Sequence, residues 1–150
     1  MNIRNATIRD LDFFKFGLRE VRTIEKRPEN DIPVTDEDVN NLISGITGGT
    51  IRVIDDDRGD PAAFVYYRTD FPIPYVSGKI FWIDIMFVRE DMRGSGLGKA
   101  LYRDMERIAF DLGYPRIVID IFESNTRSKK FHDNLGFVTV SAIYSKEIRS

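Results

Sequence analysis

IFWIDIMFVREDMRGSGLGKALYRDMERIAFDLGYP, residues 80–115, is the stretch that decides the fold. It begins with nine mostly apolar residues, 80–88, which predict a buried strand, and passes through a turn with three glycines in five positions. Apolar side chains then recur at steps of four, three and four, which predicts a helix from about Lys99. Gly113, followed two residues later by Pro115, is a typical helix stop. The stretch therefore predicts a strand, a glycine turn and an amphipathic helix in succession.

The rest of the chain supplies the remaining elements of a mixed α/β (α+β) fold. A short strand at 2–6 precedes a helix with Asp10 at its cap, and Thr35 with Asp38 forms a capping box for a second helix. Residues 50–54 and 62–68 predict a hairpin, and 116–122 predicts another strand. Asn125 is placed to cap a last helix before a final strand at 137–144. A strand pair joined by a helix favours a parallel crossover, and the hairpin favours antiparallel pairing, so we expect a mixed sheet flanked by helices.

Length and composition predict one cytoplasmic domain, residues 1–150. The chain has 22 basic and 24 acidic side chains and a net charge of −2, which favours neither nucleic acid nor an anionic membrane as a partner. It has no cysteine, so disulfides, thiolate nucleophiles and cysteine-based metal sites are excluded. The N-terminus has no uninterrupted apolar segment of the kind found in secretion signals, and the longest apolar run is too short to span a bilayer.

The glycine turn RGSGLGK, residues 93–99, has the character of an anion site. Glycines allow a tight turn, and the N–H groups at a helix start attract phosphate. A P-loop would need a glycine where Arg93 stands and Ser or Thr where Ala100 stands. A dinucleotide fingerprint would need its third glycine at Lys99. Both motifs fail in register, and a turn without a ligand stays open as the alternative.

The pattern that does fit is R-x-x-G-x-G, formed by Arg93, Gly96 and Gly98, followed downstream by NTRSKKFHDNLGF at residues 125–137. Together these segments resemble the GNAT superfamily of acetyl-CoA-dependent N-acetyltransferases. The resemblance implies a central, mostly antiparallel sheet with one parallel strand–helix–strand crossover, and acetyl-CoA as co-substrate. It also implies that the backbone of residues 86–88 pairs with the pantetheine arm, that the amides of 93–99 hold the pyrophosphate, and that two residues of the last helix contact the cofactor's far side. The expected cofactor-binding residues are Met86, Phe87, Val88, Arg93, Gly94, Ser95, Gly96, Leu97, Gly98, Lys99, Asn125 and Phe131.

Two residues are the candidates for acid–base chemistry. Asp84 is the sole charge in its strand, and an unpaired buried carboxylate there would cost several kcal/mol. By resemblance an acid on this strand takes the amine's proton, and Asp120, alone in the next strand, is the rival. The structural alternative is that Asp84 lies at the exposed edge of the strand or pairs with an arginine. His132 is the only histidine and stands where the family most often has a tyrosine proposed to protonate the departing thiolate.

The expected activity is therefore transfer of an acetyl group from acetyl-CoA to a primary amine by direct attack, with no metal. A small amine is favoured as acceptor because prolines and aromatics in the segment around 71–81 are suited to closing a groove beside Asp84. Acetylation of protein N-termini or lysines, and a non-catalytic acyl-CoA-binding module, are the alternatives. A homodimer remains open.

Overall fold

The computed structural model describes residues 2–25, 33–70 and 78–148. The chain divides into two compact units, Met1–Asp120 and Ile121–Ser150. The first holds the sheet and three α-helices, and the second holds one α-helix. Most of the segment expected to close a groove, residues 71–77, lies outside the described residues.

A five-stranded sheet forms the centre of the first unit. Its strands stand in chain order and are β1 (Ile3–Asn5), β2 (Ile51–Asp55), β3 (Pro61–Arg68), β4 (Phe81–Val88) and β5 (Ile117–Val118). The first four pair antiparallel, and β4 pairs parallel to β5. The predicted fold class, a mixed and mostly antiparallel sheet with one parallel crossover, is confirmed.

The described residues form four α-helices, two of which begin at a side-chain cap. They are α1 (Leu11–Ile24), α2 (Asp36–Gly48), α3 (Leu97–Asp111) and α4 (Thr126–Asn134), with short 3-10 turns at Ile8–Asp10 and Glu90–Met92. The predicted capping box is present, since Thr35 Oγ1 accepts from the Asp38 N–H and Asp38 accepts from the Thr35 N–H. Asp10 precedes α1 but does not cap it; its carboxylate accepts from the Thr7 N–H and from Arg4.

The two faces of the sheet carry different helices. On one face, Phe14 of α1 and Leu42 of α2 share a core cluster with Phe64 of β3 and Phe87 of β4. Because neighbouring strand residues point to opposite faces, Val65 points away from this cluster. Helix α3 contacts β2, β3 and β4 and buries an apolar face of its own. Strand β4 is therefore contacted by α1 and α3 as well as by β3.

Three elements differ from the sequence-based prediction. The strand expected at 116–122 is reduced to Ile117–Val118, and α3 begins at Leu97 rather than Lys99. The final strand predicted at 137–144 is wrong, because residues 137–148 form no regular structure and leave Val138, Ile143 and Tyr144 exposed. Alternating apolar residues form a strand only when a neighbouring strand accepts their hydrogen bonds. None of the helices in the described ranges is long and apolar enough to cross a lipid bilayer.

Candidate active site

The open edge of β4 is the first feature of the site. Strand β5 pairs with β4 only through Phe81↔Ile117 and Trp82↔Val118. Beyond Trp82, no described strand pairs with β4 on this side, so its backbone up to Val88 is left with an unpaired edge. A strand edge of this kind presents N–H and C=O groups at regular spacing to an extended ligand.

The backbone of β4 alternates between this open edge and β3. The Arg89 N–H donates to Ala62 O at 2.8 Å, toward β3. Since successive residues of a strand alternate, Phe87 shares that direction, while Met86 and Val88 face the open edge. The side chain of Arg93 agrees with this assignment, because its Nε donates to Val88 O at 3.0 Å. Of the three residues expected to pair with the pantetheine arm, two direct their polar backbone groups to the edge.

The glycine turn after β4 adopts the conformation that only glycine takes readily. Gly94 and Gly96 have φ angles of 80° and 87°, and the space where a Cβ would stand is open at both. Gly96 caps α3, and the first intrahelical bond runs from the Ala100 N–H to Gly96 O at 3.0 Å. The N–H groups of Leu97, Gly98 and Lys99 precede that bond and have no acceptor within the helix. Together with the helix dipole they provide donors for an anion.

Other groups of the turn hold its shape. The Arg93 N–H donates to Glu90 O at 3.3 Å, and the Ser95 hydroxyl donates to Met92 O. The Arg93 N–H is thus engaged within the turn, which leaves anion binding to the amides that follow it. The Arg93 guanidinium lies 6.0 Å from the centre of the Phe87 ring. It forms no ion pair with any residue in the described ranges, so its charge is available to a ligand.

A pocket of about 370 Å³ lies beside the turn, on the side of α1. Two aromatic rings line it, Phe87 and Phe16, which stand edge-on to each other with ring centres 5.8 Å apart. Charged side chains from α1 and from the segment after β4 complete its lining: Glu20, Arg89, Glu90, Asp91 and Arg93. Arg89 is held by Asp56 and Asp91 at 2.9 and 2.6 Å, so the wall it forms is fixed.

Asp84 occupies a β-bulge in the middle of β4. Tyr66 pairs with Ile85, but the next residue, Tyr67, pairs with Ile83. Asp84 is therefore an extra residue of β4 that has no register partner on β3. A bulge bends the strand and re-aims a side chain. The resulting Asp84 carboxylate is about one-third exposed, although its strand neighbours at 81–83 are buried.

Several groups set the proton affinity of Asp84. Burial raises the pKa of Asp84 above its usual range, and Asp120 raises it further by repulsion. The charge of Arg68 and a hydrogen bond from the Trp82 side chain act in the opposite direction without cancelling the rise. The arginine pairing expected as an alternative is present, but it is long, with Arg68 Nη1 4.0 Å from Asp84 Oδ2. A carboxylate whose pKa is raised is a stronger base than an ordinary aspartate.

The second unit carries the other three predicted residues. The Asn125 side chain accepts from the Ser128 N–H at 3.1 Å and so caps α4 as expected. His132 is buried and stands edge-on between Phe131 and Phe137, with ring centres 5.2 and 5.3 Å away.

The tautomer of His132 follows from its main contact. Nδ1 lies 2.7 Å from Ser128 O, and since a carbonyl only accepts, Nδ1 carries the proton. In the neutral ring Nε2 is then an acceptor. Burial lowers the pKa of His132, against the hydrogen bond to Ser128 and the charge of Asp133. The neutral form is therefore favoured at neutral pH.

Arg68 and Trp82 are the residues that sequence reasoning missed. They are register partners on β3 and β4, and both act on Asp84. The sequence carried one weak signal for Arg68, because it is the charge that ends the otherwise apolar strand PAAFVYYR. Its closeness to Asp84 depends on strand pairing, which the sequence does not display.

Comparison with known proteins agrees with this geometry. The model of the Acetyltransferase (GNAT) family matches residues 16–137, more than half of the chain. The chain belongs to the GNAT acetyltransferase family. A Bacillus subtilis (strain 168) relative named "Putative phosphinothricin acetyltransferase YwnH" is 33% identical over 138 residues, covering 91% of this chain and 83% of the relative. The resemblance inferred from the two motifs is thereby confirmed, and the protein is an acetyl-CoA-dependent acetyltransferase.

Solved structures with low sequence identity share the GNAT fold. A single-substitution mutant of the BH1408 protein from Bacillus halodurans is 20% identical, with a TM-score of 0.81 over 99% of this chain and 100% of that one. AAC(6')-Iy, in complex with a bisubstrate analog of CoA and acetylneamine, is 20% identical, with a TM-score of 0.73 over 99% and 98% of the two chains. In the described part of this chain, no cluster of three or more His, Cys, Asp or Glu side chains is placed to hold a metal ion.

Proposed function

We propose that this GNAT protein is a cytoplasmic N-acetyltransferase that acetylates the primary amine of a small molecule. The observation that carries the proposal is the placement of Asp84. A carboxyl group with a raised pKa stands at a bulge in β4, the same strand whose following residues have an open backbone edge.

The open edge and the glycine turn are the proposed binding site for acetyl-CoA, which supplies the acetyl group as a thioester. Met86 and Val88 are suited to hydrogen-bond the amides of the pantetheine arm, because their backbone groups face the edge. Phe87, the third residue expected to pair with this arm, directs its backbone to β3 and its ring into the core. The amides of Leu97, Gly98 and Lys99, with the nearby Arg93 charge, are suited to the pyrophosphate. Asn125 and Phe131 are the proposed contacts from the second unit.

In the proposed reaction the amine nitrogen attacks the thioester carbonyl carbon, a C–N bond forms, the C–S bond breaks and the thiolate leaves. Asp84 accepts the proton that the amine loses, directly or through a water molecule. Direct transfer requires no nucleophilic side chain, which agrees with a chain that contains no cysteine.

His132 remains the proposed proton donor to the departing thiolate, with a restriction. The neutral ring has an acceptor at Nε2, and its Nδ1–H donates to Ser128 O. Donation from Nε2 needs the imidazolium, which the lowered pKa disfavours. A thiol has a pKa of about 8.5, so its thiolate leaves readily and we expect the contribution of His132 to the rate to be modest.

A small amine is the proposed acceptor because the similar proteins are named for such substrates. The Bacillus subtilis relative is named for phosphinothricin, and the AAC(6')-Iy structure holds a CoA–acetylneamine bisubstrate analog. Light scattering will show whether the protein acts as a monomer or a homodimer.

The proposal is tested by CoA release with a panel of amino acids, aminoglycosides and polyamines, and by calorimetry with CoA. We expect binding, turnover with at least one amine, and a loss on the order of 10²-fold in Asp84→Asn. Asp57→Asn, in the exposed turn between β2 and β3, is the matched control and should retain full activity. Full activity in Asp84→Asn would exclude it as the base, and CoA binding without turnover would favour the acyl-CoA-binding module. Turnover with peptides alone would favour protein acetylation.

A further inference from the structure

We propose that Arg68 is a positioning residue for the base. Its guanidinium, 4.0 Å from the Asp84 carboxylate, stabilises the negative charge that Asp84 must carry in order to accept a proton. The inference rests on the proposed function, since it assigns a role to a neighbour of the proposed base. Arg68 lies outside both sequence motifs, the glycine turn at 93–99 and the segment at 125–137.

Two features of the β3–β4 pair, its register and its bulge, bring Arg68 close to Asp84. Arg68 ends β3 directly opposite Trp82, and the bulge places Asp84 two residues further along β4. Arg68 therefore reaches Asp84 across the strand pair, while Trp82 reaches it along the strand, with its indole N–H as the donor. Trp82 is paired on both sides, with Arg68 of β3 and with Val118 of β5.

The length of the Arg68 contact matters for its role. Arg68 lies 3.5 Å from Asp70 and 4.0 Å from Asp84, measured between the nearest nitrogen and oxygen atoms. Arg4, by comparison, holds Asp10 and Asp55 through four contacts of 2.7 to 2.9 Å. A close paired contact of that kind occupies the lone pairs of a carboxylate. At 4.0 Å Arg68 stabilises the negative charge of Asp84 and leaves its oxygens able to accept a proton.

The other charges around Asp84 do not supply this effect. Asp120 repels the carboxylate, and the Tyr66 hydroxyl is engaged with Asn41 O at 3.0 Å. Asp70 acts on the neighbouring Tyr66 and on Arg68. Among the described residues, the charged groups that act on Asp84 are Arg68 and Asp120, and none comes from α1, α2 or α3. Arg68 is thus the cation that opposes desolvation of the base.

The test is the pH profile of kcat/KM in Arg68→Gln and Arg68→Lys. Loss of the positive charge disfavours the carboxylate, so the acidic limb should move to higher pH in Arg68→Gln. An opposite charge at this distance lowers a carboxyl pKa by roughly one unit or more, so kcat/KM below the limb should fall by up to about tenfold. The plateau at high pH should change little, and Arg68→Lys should restore most of the wild-type profile. Arg107→Gln removes another guanidinium with two carboxylate partners, on α3, and should leave the profile unchanged.

A second measurement separates this inference from the proposed function. Carbon-13 NMR titration of the Asp84 carboxyl group in the protein without substrates reports its protonation directly. We expect it to titrate at higher pH in Arg68→Gln than in wild type. Two results in Arg68→Gln would overturn the role of Arg68 even if Asp84→Asn is inactive. One is an Asp84 titration at the wild-type pH, and the other is a KM raised at every pH while the acidic limb of kcat/KM stays in place. An active Asp84→Asn variant, in contrast, overturns the proposed base itself.

Discussion

Replacement of Gly96 by alanine tests whether the glycine turn binds the cofactor. Gly96 has φ 87° and open space around the position of a Cβ, so the cost of Gly96→Ala is backbone strain rather than a clash. A non-glycine residue in the left-handed region costs roughly 1–2 kcal/mol. If the turn relaxes to avoid this strain, CoA must restore it on binding, which weakens the affinity by roughly 5- to 30-fold.

The matched control is Gly59→Ala in the turn between β2 and β3. Gly59 has φ 86° and the same open surroundings, so its replacement costs similar strain at a distance from the proposed ligand. Thermal unfolding should show a loss of roughly 2–4 °C for each kcal/mol of strain that a variant retains, and less where the turn relaxes. Calorimetry with CoA should show weakened binding in Gly96→Ala alone. Equal affinity in the two variants would refute the assignment of the pyrophosphate to this turn.

Three further predictions concern stability and protonation. Gly17→Ala should destabilise the protein by roughly 1–3 kcal/mol in urea unfolding, because a Cβ would stand 2.6 Å from a phenylalanine ring of the sheet. Gly48→Ala, where the position of a Cβ is open, is the control and should be neutral or stabilising. Burial raises the pKa of Asp10, but hydrogen bonds from Arg4 and from the backbone outweigh it and lower the pKa overall. The resulting stability is present above the unfolded-state pKa of about 3.9 and is lost as the pH falls through the lower folded value. Asp10→Asn should therefore cost roughly 2–3 kcal/mol at pH 7, and this cost should shrink as the pH is lowered through that range. Nitrogen-15 NMR at pH 7 should show neutral His132 with its proton on Nδ1, and an imidazolium spectrum would contradict the lowered pKa.

Local features of the fold could be predicted from the sequence because their physical causes lie within a few residues. The capping box of Thr35 and Asp38, the Asn125 cap and the glycine turn all depend on side chains and backbone groups less than one helical turn apart. The final strand at 137–144 failed for the opposite reason. The alternation of apolar and polar residues describes this segment alone. A strand forms only beside a neighbouring strand, and the pattern does not specify which segment that would be.

The candidate site was predictable in part for the same reason. Asp84 was identified from the cost of a lone charge in an apolar strand, and its role stays a prediction. The bulge that exposes it depends on how β3 and β4 align, and Arg68 lies 16 residues away along the chain. The alternation of Met86, Phe87 and Val88 between two edges likewise needs the pairing of Arg89 with Ala62. Register is a property of two strands, so it is not visible in either strand alone.

The open edge of β4 also bears on self-association. Unpaired strand edges act as templates for other chains and promote aggregation, and charged residues next to the edge limit this tendency. Here the charged segment REDMR, residues 89–93, follows the edge at once and keeps the exposed stretch short. A ligand bound along residues 86–88 would take the place of a missing strand. Its presence should therefore protect the protein from aggregation during heating and storage, beyond any effect on the rate of acetyl transfer.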